Sequence, residues 1–250
     1  MQKRVVPHTT RVIAFILRPW FRLFTKRDYR GVENLPEGGY VLAPNHLSHL
    51  DPFFISLFML DNNVPPRFLA KDTIMSVKGI GWILRSAEQI PVYRSTEGAA
   101  ESLRAAVAAV NDDKIITIYP EGTITRDPAA WPMSGRTGAV RVALASGKPL
   151  IPVMQWGPQA VLWPYSKRLR LLPRKTIQVR VGKPMDLSAY EGQPLTERLL
   201  HDATDELMDT LTAMMSEVRG ELPSTSRIDV HTLGKPKTNY KPADDKRLDS

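Results

Sequence analysis

Residues 40–54 read YVLAPNHLSHLDPFF: a short apolar run, a polar turn, and an apolar segment that opens on proline. Residues 40–44 carry no polar alternation, the pattern of a strand buried on both faces. Asp51-Pro52 is a helix start, an acid at the cap followed by proline at the first helical position. The run FFISLFML, residues 53–60, continues it. A buried strand passing through a turn into a helix is the repeating unit of an α/β fold. Working outward, further strands are predicted over 67–70, 89–93, 115–119, 150–154 and 176–181. Helices are predicted over 12–25, 52–60, 96–111, 136–146 and 196–218. The two types mostly alternate, so the expected fold class is α/β, with a mostly parallel central sheet flanked by helices. The expected organisation is an N-terminal amphipathic helical, membrane-binding appendage over 1–29, one α/β domain over 30–222, and a polar tail over 223–250 that is disordered or lies on the surface.

The chain has no cysteine, so disulfides, thiolate metal ligands and a cysteine nucleophile are excluded. Its net charge is +8, and the excess is unevenly placed. Residues 1–30 hold eight Lys and Arg against Asp28 alone, and Lys167 to Lys183 form a second basic stretch without an acid. Residues 12–24, VIAFILRPWFRLF, pair aromatic and aliphatic residues with Arg11, Arg18 and Arg22, which helical spacing puts on one face. Pro19 is expected to kink or split that helix. The composition is that of an interfacial helix, with Arg11, Phe15, Arg18, Trp20, Phe21 and Arg22 as the residues expected to contact lipid. Its longest charge-free run, Val12 to Leu17, is far too short to span a bilayer. The alternative is a surface helix packed on the protein's own core.

The polar seam at 45–51 is open to three readings by residue type: a helix cap at Asp51, a metal site, or a catalytic base. Spacing sharpens them. On a continuous helix His46 and Asp51 would stand about 140° apart and could not meet. In a turn entering a helix the imidazole can fold back onto the carboxylate. That contact fixes the tautomer and leaves the other ring nitrogen to take a proton. No G-x-S-x-G elbow supplies a serine nucleophile, so the nucleophile in this reading is a substrate hydroxyl.

NHLSHLD resembles the histidine, four residues, aspartate signature of the glycerolipid acyltransferases, which include the lysophosphatidic acid and glycerol-3-phosphate acyltransferases. Three further blocks follow in that family's order: QIPVYR at 89–94, YPEGT at 119–123 and PLIPV at 149–153, with RGVENLP at 30–36 as a lead-in. Arg136, Gly138 and the helix up to Gly147 fit the run between the third and fourth blocks. The resemblance covers residues 30–185. It implies transfer of a fatty acyl group from acyl-CoA or acyl-carrier protein to 1-acylglycerol-3-phosphate (lysophosphatidic acid), giving phosphatidic acid, at the cytoplasmic face of the cell membrane by a peripheral or monotopic protein. It implies no cofactor beyond the acyl donor and no metal. His46 would be the general base and Asp51 its orienting partner. Arg94 and Lys71 would bind the acceptor's phosphate, Gly122 would allow close backbone approach, and Thr123 would offer a hydroxyl. Glu121, being negative, would bond the acceptor's glycerol hydroxyl or hold Arg94. The third block departs from the family where Ile124 follows Thr123, since an arginine or another polar residue is usual there. Arg126 is the candidate to reach the phosphate from a shifted position.

Other classes are less well served. A zinc hydrolase on His46, His49 and Asp51 lacks an acid-rich second site, and His8, His201 and His231 stand in ordinary contexts. A nucleic-acid binder is opposed by the absence of any zinc-finger or RRM signature and by the aliphatic residues that interrupt the basic N-terminus. An inactive lipid-binding relative is opposed by the intact His46–Asp51 pair.

Overall fold

The computed structural model describes residues 6–92, 96–232 and 234, without the side chains of Lys71, Thr96 and Glu97. The helices are α1 (His8–Phe24), α2 (Asp51–Asp61), α3 (Asp72–Met75), α4 (Ile80–Ser86), α5 (Thr96–Asn111), α6 (Gly138–Ser146), α7 (Pro158–Val161) and α8 (Glu197–Arg219). The strands are β1 (Thr25–Arg30), β2 (Tyr40–Pro44), β3 (Leu69–Lys71), β4 (Ile90–Val92), β5 (Ile115–Thr117), β6 (Leu150–Trp156) and β7 (Lys175–Val181). Five strands form a sheet in the order β1-β7-β6-β2-β5, parallel at every junction except β6–β7. β3 and β4 form a parallel pair that joins β5 through a bridge from Phe68 to Thr117.

β2 explains the layering. All five of its residues are buried, and the period of two sends them to opposite faces. Val41 and Ala43 pack with α5, α6 and α8 through Ala106, Val140 and Leu207. Tyr40 and Leu42 pack with α2 through Ile55, Phe58 and Met59. α2 is apolar nearly all round because it lies between this face and α1. Phe58 is fully buried and meets Tyr29 edge-on at 5.1 Å. Phe58→Ala should therefore cost about 3–5 kcal/mol. Urea unfolding should show a lower midpoint with an unchanged slope.

Two differences from the sequence reading stand out, at β1 and in α1. β1 was not foreseen, because TKRDYR has no apolar alternation. Among the described residues it is an edge strand, paired with β7 alone and rich in charge, as exposed edges are. The expected boundary after residue 29 falls inside it. α1 runs unbroken through Pro19 and is not split. The first part of the expected tail, up to residue 232, lies on the body: Ser134 donates to the Ile228 carbonyl, Val230 is buried, and Arg227 pairs with Asp205 and Asp209.

Candidate active site

β2 ends at Pro44, and the turn to α2 is held from both flanks. Asn45 prolongs the ladder with its side chain: its Oδ1 accepts from the Gln155 backbone at 2.7 Å, and its carbonyl accepts from Gln155 Nε2 at 2.8 Å. His46 comes next. Its Nδ1 lies 2.7 Å from Asp51 Oδ2. The same oxygen accepts from the amides of Leu47 at 2.5 Å and Ser48 at 2.8 Å. Asp51 is the first helical residue and caps no amide of α2, so the expected cap is replaced by this backward reach. The turn is wound around the carboxylate, and this brings together two residues that a continuous helix would separate.

Burial pushes the Asp51 carboxyl up, against the hydrogen bonds from His46, Ser48 and Leu47 that pull it down. The His46 ring stacks on Tyr119 at 4.2 Å, and Tyr119 in turn faces Phe68 at 6.2 Å. His46 Nε2 has no hydrogen-bond partner among the described residues, which leaves it able to take a proton.

The third block holds the histidine by its backbone. Glu121 Oε1 accepts from the His46 amide at 2.8 Å, and the Thr125 amide donates to the His46 carbonyl at 2.8 Å. Glu121 Oε2 accepts from the Met133 amide at 3.2 Å. Glu121 is fully buried and aimed inward. Among the described residues Glu121 clamps two loops through these amides, because a buried carboxylate must satisfy its oxygens locally.

Burial raises the Glu121 carboxyl to about 8, against the two amide bonds, with Asp51 and Asp127 adding to the rise. An unfolded glutamate ionises near its usual 4.5, so between these values the folded state binds more protons. Stability contributed here should be greatest on the acid side and fall as pH rises from about 4.5 through about 8. Thermal unfolding across that range should show a shallower pH dependence in Glu121→Gln than in the parent, since both keep Asp51.

Gly122 has a φ of +64°, and an added Cβ would come within 2.7 Å of Arg136 Cδ. The glycine is needed for its left-handed backbone, and the Arg136 side chain lies across it. Arg136 is exposed and has no ion pair among the described residues. The sequence had given it only a place in the family's run. Thr123 Oγ1 lies 3.3 Å from the Tyr165 hydroxyl. Arg126 turns to the Gly234 carbonyl at 2.5 Å, so the structure engages its guanidinium with the C-terminal stretch. Ile124 is buried and presents no side chain at the position where a polar residue was expected. Lys71 ends β3, its side chain not being described, and Arg94 lies outside the described residues. His49 sits edge-on to Tyr165 at 6.2 Å. No group of three metal-ligating side chains occurs among the described residues.

α1 differs from expectation in detail. Arg18 pairs with Asp61 at 3.0 Å, and Phe21 packs against Phe53 and Phe54, so both face the protein. Arg11, Phe15, Trp20 and Arg22 are exposed. Val12, Ile16 and Leu23 join Phe15 and Trp20 in one exposed apolar stripe at helical spacing. The opposite side of α1 roofs an apolar groove of about 230 Å³, lined by Ile13, Leu17 and Phe21 with Phe53, Leu57 and Phe68. Phe68 connects this groove through Tyr119 to His46.

Comparison with known proteins places the fold and the family. The acyltransferase family model matches residues 26–156, just over half of the chain. A 1-acyl-sn-glycerol-3-phosphate acyltransferase of Bacillus subtilis is 27% identical over 168 residues, covering 67% of this chain and 77% of the relative. One of Saccharomyces cerevisiae is 25% identical over 185 residues, covering 72% of this chain and 58% of the relative. The crystal structure of the 1-acyl-sn-glycerophosphate (LPA) acyltransferase of Thermotoga maritima superposes with a TM-score of 0.64 at 19% identity, covering 86% of this chain and 81% of that one.

Proposed function

The chain belongs to the acyltransferase family, and from that premise we propose that it acylates the free hydroxyl of 1-acylglycerol-3-phosphate to make phosphatidic acid. The observation that carries this reading is the 2.7 Å contact between His46 Nδ1 and the buried Asp51 carboxylate, with the His46 ring linked through Tyr119 to Phe68 in the apolar groove. His46 Nε2 takes the acceptor's hydroxyl proton as the oxygen attacks the thioester carbon of acyl-CoA or acyl-carrier protein. The tetrahedral intermediate collapses, the thiolate leaves, and the imidazolium returns the proton to it. Asp51 stabilises the imidazolium while it exists. The groove fits an acyl chain, since its lining is almost wholly hydrocarbon.

The acceptor's phosphate meets Arg136 across Gly122, together with Arg94 of the second block and Lys71. Arg136→Ala should raise KM for the phosphorylated acceptor about tenfold and change kcat little. Steady-state kinetics with varied acceptor would measure both. The buried Ile124 in the third block favours comparison with glycerol-3-phosphate and other lysophospholipids as acceptors.

α1 lays its exposed stripe on the cytoplasmic face of the membrane, a peripheral attachment that delivers lipid substrates to the groove. No helix among the described residues is long and apolar enough to cross a membrane. Thiol release with a chromogenic disulfide tests the function, and the chain contributes no thiol of its own. Acceptor-dependent release is expected. No release with any of these acceptors, from either donor, would overturn the reading and leave a lipid-binding relative.

A further inference from the structure

Among the described residues, the exposed large apolar side chains are concentrated rather than scattered. Apart from Leu222 they lie on α1, on Phe53 at the groove, on the stretch from α3 through α4, and on the loop 166–174. In α4 and just before it, Val77, Ile80 and Trp82 are exposed, Trp82 at 65%. In the loop, Leu169 is 54% and Leu172 74% exposed. Scattered apolar residues are ordinary, but a concentration of this kind marks a contact face.

The three segments adjoin. Ile83 and Leu84 of α4 line the groove that α1 roofs from its other side. At the far end of α1, Arg174 donates to the carbonyls of Arg22 and Thr25 at 2.8 and 3.0 Å, and Leu171 packs in one cluster with Phe21 and Phe54. The helix is therefore flanked on one side by α4 and at its end by the loop. In the loop the charge is one-sided: Lys167, Arg168, Arg170 and Arg174 are exposed around the two leucines with no acid among them, while exposed Lys78 and Arg85 lie four residues before and three after Trp82 in sequence, between Asp72 and Glu88. Exposed leucine or tryptophan ringed by cations is the chemistry of an anionic lipid surface, where hydrocarbon enters the acyl boundary and cations meet headgroups.

We propose that α4 with its preceding turn, and the loop 166–174, are two further lipid-contacting elements that join α1 in one surface for an anionic leaflet. This rests on the membrane attachment of α1 put forward above and extends it from one helix to a three-part face. A groove mouth rimmed by such a face would open into the leaflet, so a lipid could enter without crossing water.

The cysteine-free chain allows a direct test. Single cysteines replace Leu172, Trp82, Phe15 or, on the exposed surface of α8, Asp202, and each carries an environment-sensitive fluorophore. Vesicles of phosphatidylcholine with phosphatidylglycerol are compared with phosphatidylcholine alone, with brominated acyl chains as quenchers. The expected result is a blue shift and quenching at 172, 82 and 15 with anionic vesicles, and no change at 202. A response at 15 with none at 82 and 172 would overturn this inference and leave the single-helix attachment standing. No response at 15 either would overturn both. A response at 172 to an acidic carrier protein, with none to vesicles, would make the loop a protein-docking site and equally overturn it. The double variant L169D/L172D should bind anionic vesicles about tenfold more weakly. Its thiol release with detergent-dispersed substrates should equal that of the parent.

Discussion

His46→Ala should lower kcat/KM for acceptor-dependent thiol release about a thousandfold or more, roughly 4 kcal/mol of transition-state stabilisation. The imidazole has one nitrogen committed to Asp51 at 2.7 Å, and its ring is held flat against Tyr119. Glu121, the other acid of the turn, is buried with both oxygens facing amides and is not placed to take the proton. The fold should survive, since the turn is held by the backbone of His46 and by the Asp51 bonds to Leu47 and Ser48. Thiol release and circular dichroism on the same preparation would check both halves. Retained activity in a well-folded variant would remove His46 from the mechanism.

Asp51→Asn should lower kcat by about 10²–10⁴-fold for a different reason. Among the described residues, all three hydrogen bonds of the Asp51 carboxylate converge on Oδ2, and Oδ1 has no hydrogen-bond partner. The asparagine carbonyl oxygen can therefore take the place of Oδ2 and keep the turn, the tautomer and the ring orientation. What is lost is the negative charge that stabilises the imidazolium. The amide nitrogen would then sit buried where Oδ1 was, at a cost of about 1–3 kcal/mol. The expected signature is a large loss of kcat with a modest loss of thermal stability. A rate close to that of the parent would mean that the charge of Asp51 contributes little and that its work is to hold the turn.

Sequence alone determined the layered α/β plan, the strand β2, the helix α2 and the candidate pair between them. Those features are local. Burial on both faces is written into residues 40–44, and the return of a histidine onto an aspartate five positions later needs only a turn. The order of the four blocks carried the family in the same way. Tertiary structure decided the rest. β1 exists because Thr25 to Arg30 finds an edge beside Lys175 to Arg180, a pairing that no local pattern announces. Glu121 points inward because amides at His46 and Met133 converge on it, and only the folded chain brings those loops together. α1 is apolar on several sides, so its sequence could not say which side meets water. Packing against α2 took Phe21, and the Asp61 carboxylate took Arg18, leaving Val12, Phe15, Ile16, Trp20 and Leu23 outside. Helical periodicity tells which residues share a face, but what a face touches depends on the neighbours that the rest of the chain supplies.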